Sequence, residues 1–234
     1  VNVRAKDGRI LTLMFSRERL DLGGKDCVLG TAIDITERKV AEESLREAYG
    51  RLRRSQSETL RALGAVTEYR DPYTAGHQQR VARLAVAVAQ LLGLSEADIE
   101  GLRDAAVVHD IGKIYVPAEI LTRPGKLSSV EFELMKIHSE TGYTILKDVE
   151  YPWPIAEAVY QHHERLDGSG YPRRLPGADI IPEARIIGVA DVVEAIASHR
   201  PYRPALGLDV ALEEIKKGNG KLYDSDVVNA CLAV

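Results

Sequence analysis

The sequence predicts a mostly α-helical domain that follows a short β-rich segment and a linking helix. Three observations predict this class: apolar residues recur at helical spacing from about residue 67 onward, capping signals open several of those stretches, and strand-like patterning is confined to the first 36 residues. Apolar residues make up 45% of the 234 and charged residues 28%, which is typical of a globular protein and excludes a wholly disordered chain.

Residues 1–36 read as two hairpins with turn signals at Gly8 and at Gly23-Gly24. The expected strands are Val1–Ala5, Ile10–Phe15, Leu20–Leu22 and Cys27–Ile35. So few apolar residues cannot bury much surface on their own. Because the chain opens inside a strand-like pattern, we expect a fragment whose sheet is completed by upstream sequence or by a partner chain.

Residues 37–66 change to a mixed-charge run that predicts a helix. Leu45, Ala48 and Leu52 follow the 3–4 spacing of a coiled-coil seam, which resumes at Leu63 and Val66. Two interpretations stay open: a dimerising helix that carries a signal between domains, or a solvated linker helix, since polar residues interrupt the seam.

Residues 67–234 are helical in pattern. Ser95 and Ser128 each precede an acidic residue by three positions, which is typical of a capping box, and Pro182 suits a first helical turn. The expected helices are Gly76–Leu92, Ser95–His109, Ser128 to beyond Ile145, Ile155–Glu164, Ala184–Ser198, Asp209–Lys216 and Asp226–Ala233. Breakers at Pro117–Gly125 and Asp167–Pro172 predict loops.

Histidines beside these helices or at their ends, together with two aspartates, carry the chemistry. A lone histidine is usually a hydrogen-bonded core residue, so the argument depends on the whole set: His77, His109, Asp110, His138, His162, His163 and Asp191. Asp191 has apolar neighbours on both sides, and a buried carboxylate must be paired or bound to a metal. The set therefore predicts a metal centre.

Imidazole and carboxylate ligands without thiolates suit Fe, Mn, Zn or Ni rather than Ca. Five histidines and two aspartates exceed what one ion needs, and Asp110 could bridge two. Two cations roughly 3.5–4 Å apart generate hydroxide at neutral pH, which suits phosphate ester hydrolysis. Lys113 would neutralise a phosphate oxygen. Alternatively, Lys113 is a lysine at a helix C-terminus that interacts favourably with the helix dipole.

Two motifs resemble the defining motifs of the HD-GYP family: His109–Lys113 and His162–Pro172. The family is a branch of the HD phosphohydrolases, and its members hydrolyse the bacterial second messenger cyclic di-GMP. Segments Asp71–His77 and Arg200–Arg203 match further family segments, so the resemblance covers about residues 60–234. Gly30–Lys39 resembles the end of a PAS sensor domain.

The resemblance implies an all-α HD-domain helical bundle with extra C-terminal helices. It also implies the site. One metal would bind His77, His109, Asp110 and Asp191, and the other would share Asp110 and bind His138, His162 and His163. Asp110 and Lys113 would be catalytic, and the substrate contacts would be Lys113, Tyr171, Arg200 and Arg203, with Asp71 as a further candidate. Tyr171 could instead shape a turn, and the two arginines could be surface charges.

Two departures from the family pattern are informative. Some relatives bind a third metal through a glutamate where this chain has Tyr73, so we expect two metals. The family often has an aspartate where this chain has Glu194, and the longer side chain is expected to keep a substrate contact.

The expected organisation is the end of a PAS domain (1–36), a signalling helix (37–66) and an HD-GYP phosphodiesterase domain (67–234). The expected reaction converts cyclic di-GMP to pGpG; whether it continues to GMP is left open. The expected cofactors are two divalent metals, Fe or Mn first, with Zn, Ni and Mg as alternatives, and no organic cofactor. Two other functions stay open: an HD hydrolase for another nucleotide, and a silent cyclic di-GMP receptor.

The expected partners are a second copy through the linker helix and a diguanylate cyclase or other signalling protein. The formal charge of −4 argues against a nucleic acid polymer as partner. The most apolar stretch, Leu84–Leu94, is about half the roughly 20 residues of a membrane span. We therefore expect a bacterial cytoplasmic fragment, and membrane attachment upstream is left open.

Overall fold

The computed structural model describes residues 1–21, 23–70, 76–198 and 205–234. The chain forms two compact units, residues 1–56 and 57–234, which divide within one long helix. Within the described ranges, no helix combines the length and the apolar character needed to cross a lipid bilayer.

The first unit contains an antiparallel three-stranded sheet in the order β1-β2-β3. Its strands are β1 (Asn2–Arg4), β2 (Ile10–Asp21) and β3 (Asp26–Asp34). Both predicted turns are confirmed, and Gly23 and Gly24 take φ of 65° and 82° at the second one. Most strand residues are exposed, as the small number of apolar residues predicts.

The predicted linker helix is confirmed as helix α1 (Thr36–Arg70), which is longer than the sequence pattern indicated. It continues because Leu60, Gly64 and Thr67 are buried in the second unit. The predicted seam residues Leu45 and Leu52 are exposed on α1, and dimerisation through this helix stays a prediction.

The second unit is an all-helical bundle, which confirms the predicted fold class. Its further helices are α2 (His77–Leu91), α3 (Glu96–Val108), α4 (Ala118–Leu121), α5 (Ser129–Leu146), α6 (Ile155–Gln161), α7 (Pro182–Ala197), α8 (Leu208–Lys217) and α9 (Ser225–Ala233). α2 packs against α3 and α7, and the buried side chains of Val81, Leu102 and Ile187 belong to their shared core.

Three segments differ from the sequence prediction. The strands expected at Ile10–Phe15 and Leu20–Leu22 form one strand, β2, because pairing with β3 continues without interruption to Asp21; Leu22 lies outside the described residues. The predicted loop after Pro117 contains the one-turn helix α4, because Ile120 and Leu121 bury against Val116 in a small second core. The helix predicted to reach Glu164 ends at Gln161, since the Glu164 carboxylate accepts hydrogen bonds from backbone N–H groups of the following loop.

The predicted capping box of α5 is confirmed, and it stabilises the helix that carries His138. The Ser128 Oγ accepts from the Glu131 N–H at 3.4 Å, and the Ser128 N–H donates to Glu131 Oε2 at 2.8 Å. Ser128→Ala removes the first bond, and we expect it to lower the free energy of unfolding by about 1 kcal/mol, measured by urea unfolding. Ser129→Ala, at the exposed next residue, is the control; equal stability of the two variants would contradict the capping role.

Candidate metal centre

All seven predicted metal ligands lie at one place in the second unit. They come from different elements, whose order in the chain does not bring them close. His77 begins α2, His109 and Asp110 follow α3, His138 lies within α5, His162 and His163 follow α6, and Asp191 lies within α7. Helix ends and the middle turns of α5 and α7 therefore deliver five imidazoles and two carboxylates to a common centre.

Asp110 lies between two groups of imidazoles. Its Oδ2 is 3.5 Å from His109 Nε2 and 3.8 Å from His77 Nε2. Its Oδ1 is 3.5 Å from His138 Nε2. One carboxylate thus faces both groups, with a different oxygen toward each, as a bridging ligand requires.

Backbone carbonyls fix the tautomers of three of the imidazoles. The Nδ1 atoms of His109, His138 and His162 each lie 2.7 Å from the carbonyl oxygen of the residue three positions earlier. A carbonyl only accepts, so Nδ1 carries the proton and Nε2 presents a lone pair.

The Nε2 lone pairs of His138 and His162 face each other, and a bound cation would remove the repulsion between them. His138 Nε2 and His162 Nε2 are 3.4 Å apart, although both Nδ1–H groups are committed to carbonyls. His109 Nε2 is buried and has no hydrogen-bond partner among the described residues. Buried acceptors held this close repel each other unless a proton or a metal lies between them. The donor set fits divalent transition metals.

The described residues contain three groups whose ligand atoms lie within 4.8 Å of one another. They are His77, His109 and Asp191; His138, His162 and His163; and His109, Asp110 and His162. The shared members make one continuous cluster of nitrogen and carboxylate ligands, which Fe, Mn, Zn and Ni accept.

The pKa shifts favour the protonation states that metal binding requires. Burial lowers the pKa of His162 to about 3 and the pKa values of His138 and His163 below their ordinary value, so these imidazoles are neutral at pH 7. Burial alone would raise the pKa of Asp110, but Lys113 and the neighbouring histidines hold it well below its ordinary value. Neutral imidazoles and an ionised carboxylate are the protonation states in which these side chains bind a metal.

The Glu194 carboxylate contacts the Nδ1 atom of His77, on the side of the ring away from the cluster. Its Oε2 contacts His77 Nδ1, while its Oε1 accepts from Arg80 Nε at 2.7 Å and from Ser198 Oγ at 2.6 Å. Burial alone would raise the pKa of Glu194, but the hydrogen bond with His77 and its other partners lower it to about 2. A carboxylate only accepts, so His77 Nδ1 carries a proton, and Nε2 lies on the side of the cluster, 3.2 Å from Asp191 Oδ1.

Lys113 and Tyr171, predicted to contact substrate, lie beside this cluster. Lys113 Nζ is 2.6 Å from Asp110 Oδ2, so the ammonium orients the central carboxylate. The ring of Tyr171 lies 4.7 Å from that of His163, centroid to centroid. Gly112 allows Lys113 and Asp110 to approach α5, because a Cβ there would lie 1.9 Å from the His138 carbonyl oxygen.

A family model described as an HD domain matches residues 62–227, which include every ligand of the cluster. The chain belongs to the HD domain family. A solved structure described as Bd1817, an HDG"Y"P protein from Bdellovibrio bacteriovorus, has the same fold, with a TM-score of 0.56, 21% identity, and coverage of 66% of this chain and 50% of that one.

Two curated relatives of the HD domain are more similar in sequence. The cyclic di-GMP phosphodiesterase response regulator RpfG of Xanthomonas campestris pv. campestris (strain 8004) is 40% identical over 193 residues, which cover 82% of this chain and 51% of RpfG. The 3'3'-cGAMP-specific phosphodiesterase 3 of Vibrio cholerae serotype O1 is 42% identical over 151 residues, which cover 64% of this chain and 33% of that protein. The chain thus spans about half the length of the first relative and a third of the second.

Four residues singled out from the sequence lie outside the described residues of the HD domain: Asp71, Tyr73, Arg200 and Arg203. The substrate contacts assigned to Asp71, Arg200 and Arg203, and the argument from Tyr73 for two metals, therefore stay predictions. Sequence reasoning missed Arg80, which lies three residues after His77 and holds Glu194. The one sequence signal for Arg80 is its i, i+3 spacing from His77 on α2.

Proposed function

We propose that the HD domain is a metal-dependent phosphodiesterase of the HD-GYP type that hydrolyses cyclic di-GMP. The observation that carries this proposal is the position of Asp110, whose two oxygens face different groups of imidazole Nε2 atoms. The activities for which the relatives are named support the choice of a cyclic dinucleotide, and the Gly170-Tyr171-Pro172 sequence supports the HD-GYP subtype.

The ligand assignment follows the two groups. His77, His109, Asp110 and Asp191 would hold one metal, and Asp110, His138, His162 and His163 would hold the second. When bound, a pair of divalent cations supplies water activation and neutralises charge on a phosphodiester during in-line displacement. Fe and Mn are the metals proposed first, with Zn, Ni and Mg as alternatives.

The protein's own residues contribute orientation and charge. Lys113 holds Asp110 by a 2.6 Å contact and adds a positive charge beside the cluster, where it favours an anionic substrate. Burial raises the pKa of Tyr171, so its phenol stays protonated at neutral pH and can donate a hydrogen bond to a phosphate or base.

A second candidate substrate is 3'3'-cGAMP, since the Vibrio cholerae relative at 42% identity is named for that activity. It differs from cyclic di-GMP in one base only, so the same metal centre would serve both. A silent receptor for cyclic di-GMP is the third candidate, but the presence of all seven ligands argues against it.

Purified protein, stripped of metal by chelation and reloaded with Fe(II) or Mn(II) under reducing conditions, is the direct test. We expect turnover of cyclic di-GMP to pGpG, followed by chromatography that also detects GMP, and no turnover in the stripped protein. Faster turnover of 3'3'-cGAMP would favour the second candidate. Tight binding with no turnover in metal-replete protein would contradict the enzyme and support the receptor.

The remaining parts of the chain are proposed as a signalling module. We infer a PAS remnant over residues 1–36, a signalling helix over 37–66 and the HD-GYP domain over 67–234. A homodimer through the linker helix, a signalling partner such as a diguanylate cyclase, and a bacterial cytoplasmic location complete this proposal.

A further inference from the structure

A cleft of about 600 Å³ adjoins the metal centre, between α5 and the loop that follows α6. His163 and Tyr171 line it, so the cleft begins at the cluster itself. Its volume is in the range of small-molecule sites. A dinucleotide whose phosphate lies at the metal centre would extend a base into this space.

One wall of the cleft is aromatic. The rings of Phe132 and Tyr171 meet edge to face, with centroids 6.3 Å apart and an interplanar angle of 83°. Phe132 remains 46% exposed although it lies on a helix that packs against the core. Nucleobases stack on such rings without regard to sequence, so the wall provides affinity for a base but no choice between bases.

A pair of opposite charges lies at the edge of this wall. Lys136 Nζ is 2.6 Å from Glu133 Oε1, and it lies 5.3 Å from the ring centroid of Phe132 and 5.8 Å from that of Tyr171. The Lys136 side chain is only 22% exposed, unlike that of an ordinary surface lysine. The cleft therefore presents a strong donor and a strong acceptor side by side, next to a stacking surface.

Resting on the proposed function, we propose that Lys136 and Glu133 determine base specificity by reading a guanine of the substrate. Guanine has the O6 acceptor next to the N1–H and N2–H₂ donors, which matches an ammonium beside a carboxylate. Adenine has an amino donor at position 6 and an acceptor at N1, so both contacts become mismatched. A site built for hydrogen bonds rejects the base that cannot form them.

Binding of non-hydrolysable phosphorothioate analogues of cyclic di-GMP and cyclic di-AMP by metal-loaded protein tests this subsite without turnover. We expect the protein to prefer the guanine analogue, and we expect Lys136→Met and Glu133→Ala each to reduce the ratio of the two Kd values by about 10-fold. Lys147→Met, at the exposed end of α5, is the matched control and should leave the ratio unchanged.

Three outcomes would overturn the subsite. An unchanged ratio in Lys136→Met and Glu133→Ala, or no guanine preference in the parent protein, would exclude base reading by this pair. An equal loss of affinity for both analogues would identify Lys136 as a phosphate contact instead. Hydrolysis of cyclic di-GMP by the parent protein is measured separately, so a failure of the proposed enzyme is distinguished from a failure of the subsite.

Discussion

Asp110→Asn should abolish hydrolysis of cyclic di-GMP, with a loss of about 1,000-fold or more, since metal-ion catalysis is worth several kcal/mol. The substitution keeps the shape of the side chain and removes its charge. Asp110 faces both groups of imidazoles with different oxygens, and it is 3% exposed. An amide cannot replace it, because its NH₂ group has no lone pair for a cation.

Metal content measured by mass spectrometry should fall in the same variant. Without Asp110 the cluster loses one of the two negative charges that offset the divalent cations, and the Lys113 ammonium loses its ionised partner at 2.6 Å. Asp148→Asn, at an exposed position, is the control. Circular dichroism separates loss of metal from loss of fold. A folded Asp110→Asn protein that retains its metal and its turnover would exclude the bridging role.

The sequence could predict the helices because their signals are local. Ser95 and Ser128 mark the starts of α3 and α5, and the structure shows both side chains accepting the predicted hydrogen bonds. Signals that depend on distant contacts were missed. α4 forms because Ile120 and Leu121 fill a small core against which Met135 of α5 also packs, and α6 ends early because Glu164 binds a later loop. Neither partner is visible in a local window of sequence.

In the candidate site, too, the residue types could be predicted from the sequence and the contacts between distant residues could not. The seven ligand residues could be named from the sequence, since residue type and motif spacing identify them. Their mutual geometry could not, because it depends on how the core packs the helices against one another. The close approach at Gly112 and the 3.4 Å separation of two Nε2 atoms appear only in three dimensions. The same holds for Glu194, which the family pattern assigned to the substrate and the structure places against His77.

Glu194→Gln should weaken metal binding by about 10- to 100-fold, the usual cost of losing the carboxylate behind a ligating histidine. His109, His138 and His162 have carbonyl partners at Nδ1, but His77 has a carboxylate, which Arg80 and Ser198 hold in place. An ionised partner makes the imidazole a stronger ligand and fixes its orientation. Competition with a chelator of known affinity measures the change for Mn(II), and Glu183→Gln, at the start of α7, is the control.

A kinetic comparison distinguishes this positioning role from a direct substrate contact. If Glu194 acts through His77, excess metal should restore most of the turnover of Glu194→Gln with an ordinary KM, because only the affinity for the cation has fallen. If Glu194 instead binds substrate, KM should stay raised at saturating metal and the chelator competition should be unchanged. Glu194→Asp, which introduces the residue more usual in the family, gives a second check. The aspartate side chain is one methylene shorter, so its carboxylate should not reach both His77 and Arg80 as that of Glu194 does. Full metal affinity in both variants would refute the positioning role.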